Sequence, residues 1–430
     1  VTAEIVILNK QAVALAADSA VTFGEGQKVF ISANKIFTLS KYHPVGIMIF
    51  GSAELLDVPW EVIIKLYRQQ LGKIHYAELG QYADDFFRFL SQHSELFPER
   101  VQRRYFTTVV RAYYEILLNE IFDHLKVFSD SGGVLDSDVI ERTVHEVVVE
   151  HHRKWASYPL FSGADEDYIT ATAGVYHEVA ENVIDECFEK LPLGKEERDM
   201  LLQISISVFT RESDEVDPPG VSGVVVAGFG ERENFPVLRA YDVMGVLNGR
   251  AVHNTRLEYK ITHDDSAAII PFAQHEMVRR FMEGIDPIYA DRLETDMREL
   301  IAGIPKVLVD SVPGLSDEQK TVVAAELASV LMPKVEEYME QLTVYRRSNF
   351  VSPITSVAAL LPKAELAQMA ESLVSITSIK RRVSLEAETV GGPIDVAVIS
   401  KGDGFVWINR KHYFRPELNP HFRENYYRED

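Results

Sequence analysis

The chain opens VTAEIVILNKQAVALAADSAV, with the hydroxyl of Thr2 near one end of the stretch and the carboxylate of Asp18 near the other. A hydroxyl held beside an acid is the start of a nucleophile's environment. Two weaker groups also carry reactive side chains. HEVVVEHH brings His145, His151 and His152 together with Glu146 and Glu150, and a loop carries His263, Asp264 and Asp265. The first is not HExxH, and its spacing does not put three ligands on one helix face, so a solvated helix face is the expected reading. The second reads as an ordinary charged loop after a strand. Gly228 and Gly230 form a GxG that lacks the third glycine and opens no helix, which excludes a dinucleotide fingerprint. No metal and no cofactor are expected.

What must position Thr2 and Asp18 is a pair of strands folded back on each other. Ile5, Ile7, Val13 and Leu15 supply the alternation, Asn9 and Lys10 the turn, and the alanine-rich run 12–17 fits a strand buried on both faces. A loop of Asn9, Lys10 and Gln11 pairs Leu8 with Ala12, Val6 with Ala14, Glu4 with Ala16 and Thr2 with Asp18. A two-residue turn instead faces Thr2 with Ala17. Further strands are expected over 35–40 and 45–50, then a helix started by Asp57 and Pro59, carrying Trp60, Ile63, Ile64 and Tyr67 on one face and ending at Gly72. Residues 23–32 read as a polar connection.

The remaining chain divides by its periodicity. Residues 1–72 form the first half of a core, 73–215 a helical insertion, 216–285 core strands and a helix, 286–363 a second helical insertion, 364–414 the last core helix and a closing hairpin, and 415–430 a tail. Within 216–285 the strands are 222–230, 236–243 and 257–261, followed by a helix over 271–281. Ser316 with Gln319 predicts a capping box before a long helix. Strands near both ends with helices between them favour an α+β layered sandwich over a doubly wound sheet, and require the first and last strands to meet.

Composition excludes several functions. With 44 basic and 65 acidic residues the net charge is −21, which disfavours nucleic acid and anionic lipid as partners. The lone cysteine, Cys187, rules out an intramolecular disulfide and reads as a small hydrophobe in a helix. A cytoplasmic protein without membrane span or signal peptide is expected, since Glu4, Lys10 and Asp18 interrupt the opening stretch.

The opening TAEIVILNKQAVALAADSAVT, then NKIFTL and IFGSAELL, resembles the start of proteasome β-subunits and the bacterial HslV and Anbu peptidases. SGVVVAGFG with FPVLRAYDVMG is similar to that family's central strand pair, PFAQHEMVRRF to its next helix, and GGPIDVAVISKGDGFVWI to its closing hairpin. These segments cover about two-fifths of the chain. The resemblance implies a four-layer αββα sandwich of the N-terminal-nucleophile hydrolases, and cleavage of peptide or other amide bonds by a threonine inside a homo-oligomer. Carried over by position, it implies Thr2 as nucleophile, Asp18 as acid, Lys35 as the lysine, Gly51 as the oxyanion-hole amide and Ala53 as a residue lining the substrate pocket. The family's supporting serine falls near Ala268 and its supporting aspartate near Ala387, with Glu386 and Glu388 as neighbours. Neither matches.

A threonine hydroxyl needs a base, and an N-terminal α-amine can serve if it is free and neutral. A neighbouring ammonium such as Lys35 disfavours the amine's charged form, Asp18 orients Lys35, and a glycine leaves its N–H open to a developing oxyanion. Val1 precedes Thr2, so Val1 is removed, or this copy is idle, or the mature start lies before the sequence given. The plainer reading makes Thr2 a strand start, Asp18 and Lys35 a buried ion pair and Gly51 the start of a helix, in a non-catalytic scaffold or binding protein. Expected partners are further copies of the chain and a peptide or protein substrate, with the identity of any unfoldase open. The aromatic tail residues Tyr413, Phe414, Phe422, Tyr426 and Tyr427 fit either a neighbouring subunit or a disordered end.

Overall fold

The computed structural model describes residues 3–23, 28–161, 163–213, 220–384 and 390–421. Thr2, Glu386, Ala387, Glu388, Phe422, Tyr426 and Tyr427 lie outside the described residues. In chain order the strands are β1 (Glu4–Asn9), β2 (Val13–Ala17), β3 (Val21–Phe23), β4 (Lys28–Phe30), β5 (Ile36–Thr38), β6 (Val45–Gly51), β7 (Glu54–Leu55), β8 (Val58–Pro59), β9 (Ser222–Gly228), β10 (Val237–Leu247), β11 (Arg250–Lys260), β12 (Ala267–Ala273), β13 (Asp395–Ser400) and β14 (Gly404–Asn409). The helices are α1 (Trp60–Leu71), α2 (Leu79–Gln92), α3 (Glu99–Asp130), α4 (Ser137–Ser157), α5 (Glu166–Cys187), α6 (Lys195–Ser207), α7 (His275–Glu283), α8 (Pro287–Asp310), α9 (Asp317–Arg346), α10 (Ser352–Ala358) and α11 (Lys363–Val383). This is a mixed α+β protein with antiparallel pairing in its sheets.

The chain divides into two compact units, one of residues 1–33, 261–398 and 406–430, the other of 34–260 and 399–405. In the first, the sheet runs β12-β1-β2-β13-β14, so the opening and closing hairpins meet at β2 and β13. Ile5 and Ile7 share a core with Ala12, Ala14 and Ala16, and α11 covers it with Leu366, Ala367, Ala370 and Val374. Alanines on both sides of that contact let the helix approach the strands closely. In the second unit the sheet runs β11-β10-β9-β6-β5. Trp60, Ile63, Ile64 and Tyr67 of α1 are buried against it, as the helical spacing predicts, together with Phe86 and Leu90 of α2. Helices α3 to α6 pack around Phe106, Tyr114, Tyr176, Leu201 and Phe209 in a core that they share with Met244 and Leu247 of β10 and Val252 of β11.

Five local readings are corrected. The first hairpin pairs Glu4 with Ala17, Val6 with Leu15 and Leu8 with Val13, so neither expected register holds: these residues do not face Ala16, Ala14 and Ala12, and Ala17 is taken by Glu4. The reason is Asn9, whose backbone N–H donates to the Ala12 carbonyl at 3.0 Å while its side-chain oxygen accepts from Gln11 and Ala12, leaving a two-residue loop of Lys10 and Gln11. Residues 23–32 are not simply a connection, because β3 and β4 pair. Asp57 does not cap α1: its backbone is left-handed, φ 67°, and its carboxylate pairs with Arg104. The strand expected at 257–261 is the end of the eleven-residue β11, which turns from β10 at Asn248 and Gly249 with φ 48° and 73°, the backbone a tight hairpin requires. Pro271 begins no helix. It lies in β12 opposite Ile5, where the register shifts, on an edge strand that can spare the missing N–H.

Candidate functional site

In the first unit the observed register carries one step beyond β1 and β2 and brings Asp18 to Ala3, the residue after Thr2. The Asp18 N–H donates to the Ala3 carbonyl at 3.1 Å, and the Ala3 N–H donates back to Asp18 Oδ1 at 3.0 Å. Asp18 is 1% exposed, and its Oδ2 accepts from the N–H of Ala20 at 3.2 Å and of Gly391 at 2.8 Å. Three backbone N–H donors hold this carboxylate in place. Ser19 is held in the same way, its Oγ donating to the Pro393 carbonyl at 2.5 Å and its N–H to the Gly391 carbonyl at 3.1 Å. Gly392 adopts φ +80°, and a Cβ there would lie 2.9 Å from the Ile31 carbonyl oxygen, so the approach needs a glycine. Gly391 and Gly392 were not singled out from the sequence. The signal was the GG pair just before the closing strand.

In the second unit Lys35, the residue before β5, is 4% exposed, and its carbonyl accepts from the Ile49 N–H at 2.9 Å. Gly51 ends β6, paired with Ser222, at φ +76° and exposed, and a Cβ on it would lie 2.8 Å from the Val221 carbonyl oxygen. The turn it opens is pinned by two residues that sequence reasoning passed over as site elements. Trp60 Nε1 donates to Ser222 Oγ at 2.8 Å, and Ser222 Oγ donates to the Ser52 carbonyl at 3.3 Å. Ala53 is half-buried, its carbonyl accepting from the Trp60 N–H at 3.1 Å. Ala268, where the resemblance implies a supporting serine, sits in β12 opposite Leu8.

The histidines of HEVVVEHH do not converge. His145 Nδ1 meets Glu197 Oε1 at 2.6 Å and, through that hydrogen bond, holds the Glu197 carboxyl below the usual carboxylate range. His151 lies between Tyr113, 2.6 Å from Nδ1, and Glu120, 2.9 Å from Nε2, whereas His152 meets Gln203 at 2.9 Å. They tie α4 to α3 and α6. In the 262–266 loop the Thr262 N–H donates to the Asp265 carbonyl at 2.9 Å, and the His263 carbonyl accepts from Lys10 Nζ at 3.0 Å. Among the described residues no group of three or more His, Cys, Asp or Glu is arranged to hold a metal ion, and no helix is long and apolar enough to cross a membrane.

No family model matches the chain, and no curated protein matches it either. Among solved structures it is similar to Anbu, an ancestral β-subunit from Yersinia bercovieri, at 11% identity over 98% of this chain and 94% of that one, with a TM-score of 0.28. It is similar also to the Anbu complex from Pseudomonas aeruginosa, described as a helical assembly, at 8% identity over 98% and 93%, with a TM-score of 0.24.

Proposed function

We propose that the chain is a proteasome-like hydrolase with an αββα sandwich of the N-terminal-nucleophile type, acting on peptide or other amide bonds in an assembly of its own copies. The observation that supports it is the buried carboxylate of Asp18, which accepts at 3.0 Å the N–H of Ala3, the residue that follows Thr2 in the sequence. In this reading Thr2 is the nucleophile, Asp18 the acid, Lys35 the buried cation, Gly51 the oxyanion donor and Ala53 a pocket residue. The Thr2 Oγ bonds to the scissile carbonyl carbon as the free α-amine takes its proton. The carbon–nitrogen bond then breaks as that proton passes to the leaving amine, and water hydrolyses the resulting ester. The chemistry requires a Thr2 amine that is not acylated by Val1.

A β-lactone probe with intact-mass readout tests this. Labelling on Thr2 after loss of Val1 is expected, together with loss of labelling in Thr2→Ala and a large fall in labelling rate in Asp18→Asn. A folded chain that keeps Val1 and takes no label refutes the hydrolase and leaves the non-catalytic scaffold, a reading favoured by the alanine at position 268 where the resemblance implies a serine.

A further inference from the structure

The helical hairpin of α8 and α9 presents an apolar seam that nothing in the described chain covers. Tyr289, Leu293, Leu300, Ile304 and Val307 are 59%, 44%, 65%, 38% and 70% exposed. With the half-buried Met297 they follow steps of four, four, three, four and three along α8, which puts them in one stripe, and the last four steps are those of a coiled-coil seam. The side of α8 turned to its neighbour is a different one: Pro305 and Val309 are buried, and Arg298 pairs with Glu336 of α9 through two hydrogen bonds of 3.0 and 2.8 Å. So α8 carries two apolar seams, of which α9 occupies one.

We infer that the second seam pairs with α8 of another copy of this chain, antiparallel about a two-fold axis. Two arguments select that occupant. The five exposed side chains present roughly 550 Å² if each would show about 200 Å² when fully exposed, towards the upper end of the largest apolar patch on an ordinary monomer and about two thirds of the roughly 800 Å² that each partner contributes to a standard complex. The seam is also complementary to itself. With the axis between residues 298 and 299, an antiparallel copy sets Ala290 against Val307, Leu293 against Ile304 and Met297 against Leu300, so every layer is apolar and a large residue faces a small one at each end. The inference rests on α8 and α9 alone, and stands or falls separately from the hydrolase reading.

The full chain with Cys187→Ser tests it by site-directed thiol cross-linking. A mixture of Leu293→Cys and Ile304→Cys chains is expected to give a covalent dimer with a short bis-maleimide, and neither variant alone is expected to do so. In the antiparallel pair two copies of residue 293 stand about 16 Å apart along the axis, eleven residues at about 1.5 Å each. Leu300→Glu with Ile304→Glu should weaken self-association at this surface by about 100-fold or more in sedimentation, at unchanged helix content. Cross-linking of Leu293→Cys to itself, no cross-link in the mixture, or a double variant that associates like the parent chain overturns the inference. Probe labelling of Thr2 is read separately and bears on the other proposal only.

Discussion

The first unit contains two hairpins built on opposite principles. In β1 and β2 every residue is buried, and the pairing is locked by Asn9 at the turn and by Asp18 at the open end. In α8 and α9, helices of 24 and 30 residues, the buried side chains are Pro287, Pro305, Val309 and Val335. That hairpin is held by its caps and by surface ion pairs: Asp286 accepts from the Tyr289 N–H, Ser316 and Gln319 cap each other reciprocally as the sequence predicts, and Arg292 pairs with Asp296. Burial on both faces fixes a single register because any slip moves every side chain into the wrong environment. Helices held by caps and exposed pairs retain free faces, and free faces are what a second copy can use.

The largest effect that would break this contrast is in the β-hairpin. Ile7 is fully buried among Leu366, Ala370 and Val374, and Ile7→Ala is expected to cost about 2–5 kcal/mol through lost transfer energy and the cavity left behind. Urea unfolding followed by far-ultraviolet circular dichroism measures it. A loss below about 1 kcal/mol would mean that Ile7 does not lie in the packed core between the hairpin and α11.

Titration draws the same line between buried and exposed groups. His253 on β11 stacks on Phe87 with ring centroids 3.7 Å apart, its Nδ1 has no hydrogen-bond partner among the described residues, and burial pushes its pKa down to about 4. Because the folded value lies below the ordinary one near 6.5, the unfolded chain takes up the proton first. The contribution of His253 is therefore whole above pH 6.5 and is lost as the pH falls towards 4. Between pH 7 and 4.5 this should remove about 2 kcal/mol of stability. His253→Phe, which keeps a ring against Phe87, should lose about that much less over the same interval, and equal losses in both proteins would assign the acid sensitivity elsewhere. The exposed pair Lys334 and Glu337 on α9 shifts in the opposite sense, Lys334 up and Glu337 down through their mutual hydrogen bond, and salt screens such pairs.

Much of this architecture is legible locally. Apolar residues at three and four spacing locate α1 and α3 to α6, and the alternation of Ile5, Ile7, Val13 and Leu15 locates the opening hairpin. What was misread follows from one-sided strands and from contacts distant along the chain. β11 lies at a sheet edge with much of its length exposed, so its alternation is weak, although Asn248 and Gly249 signalled its turn. Pro271 has the look of a helix start until β1 is known to pair there. For the site, an acid following an apolar strand made Asp18 conspicuous. Its partner Gly391 is 373 residues away and contributes only a backbone N–H, which no residue type announces. The Trp60 to Ser222 bond was hidden for the same reason, since each residue already had an adequate explanation as core or strand.

The smallest expected effect is the sharpest test of the contrast. Leu300→Ala removes a side chain that is 65% exposed, so little transfer energy is lost in the isolated chain, and alanine has the higher helix propensity. Under dilute conditions the change should stay within about 0.5 kcal/mol of the parent, against the several expected for Ile7→Ala. Raising the protein concentration should separate the two substitutions further: the parent gains stability by mass action as copies pair, and Leu300→Ala gains less. A Leu300→Ala penalty that is large already at the lowest concentration would place Leu300 in a folded core and remove the distinction between the two hairpins.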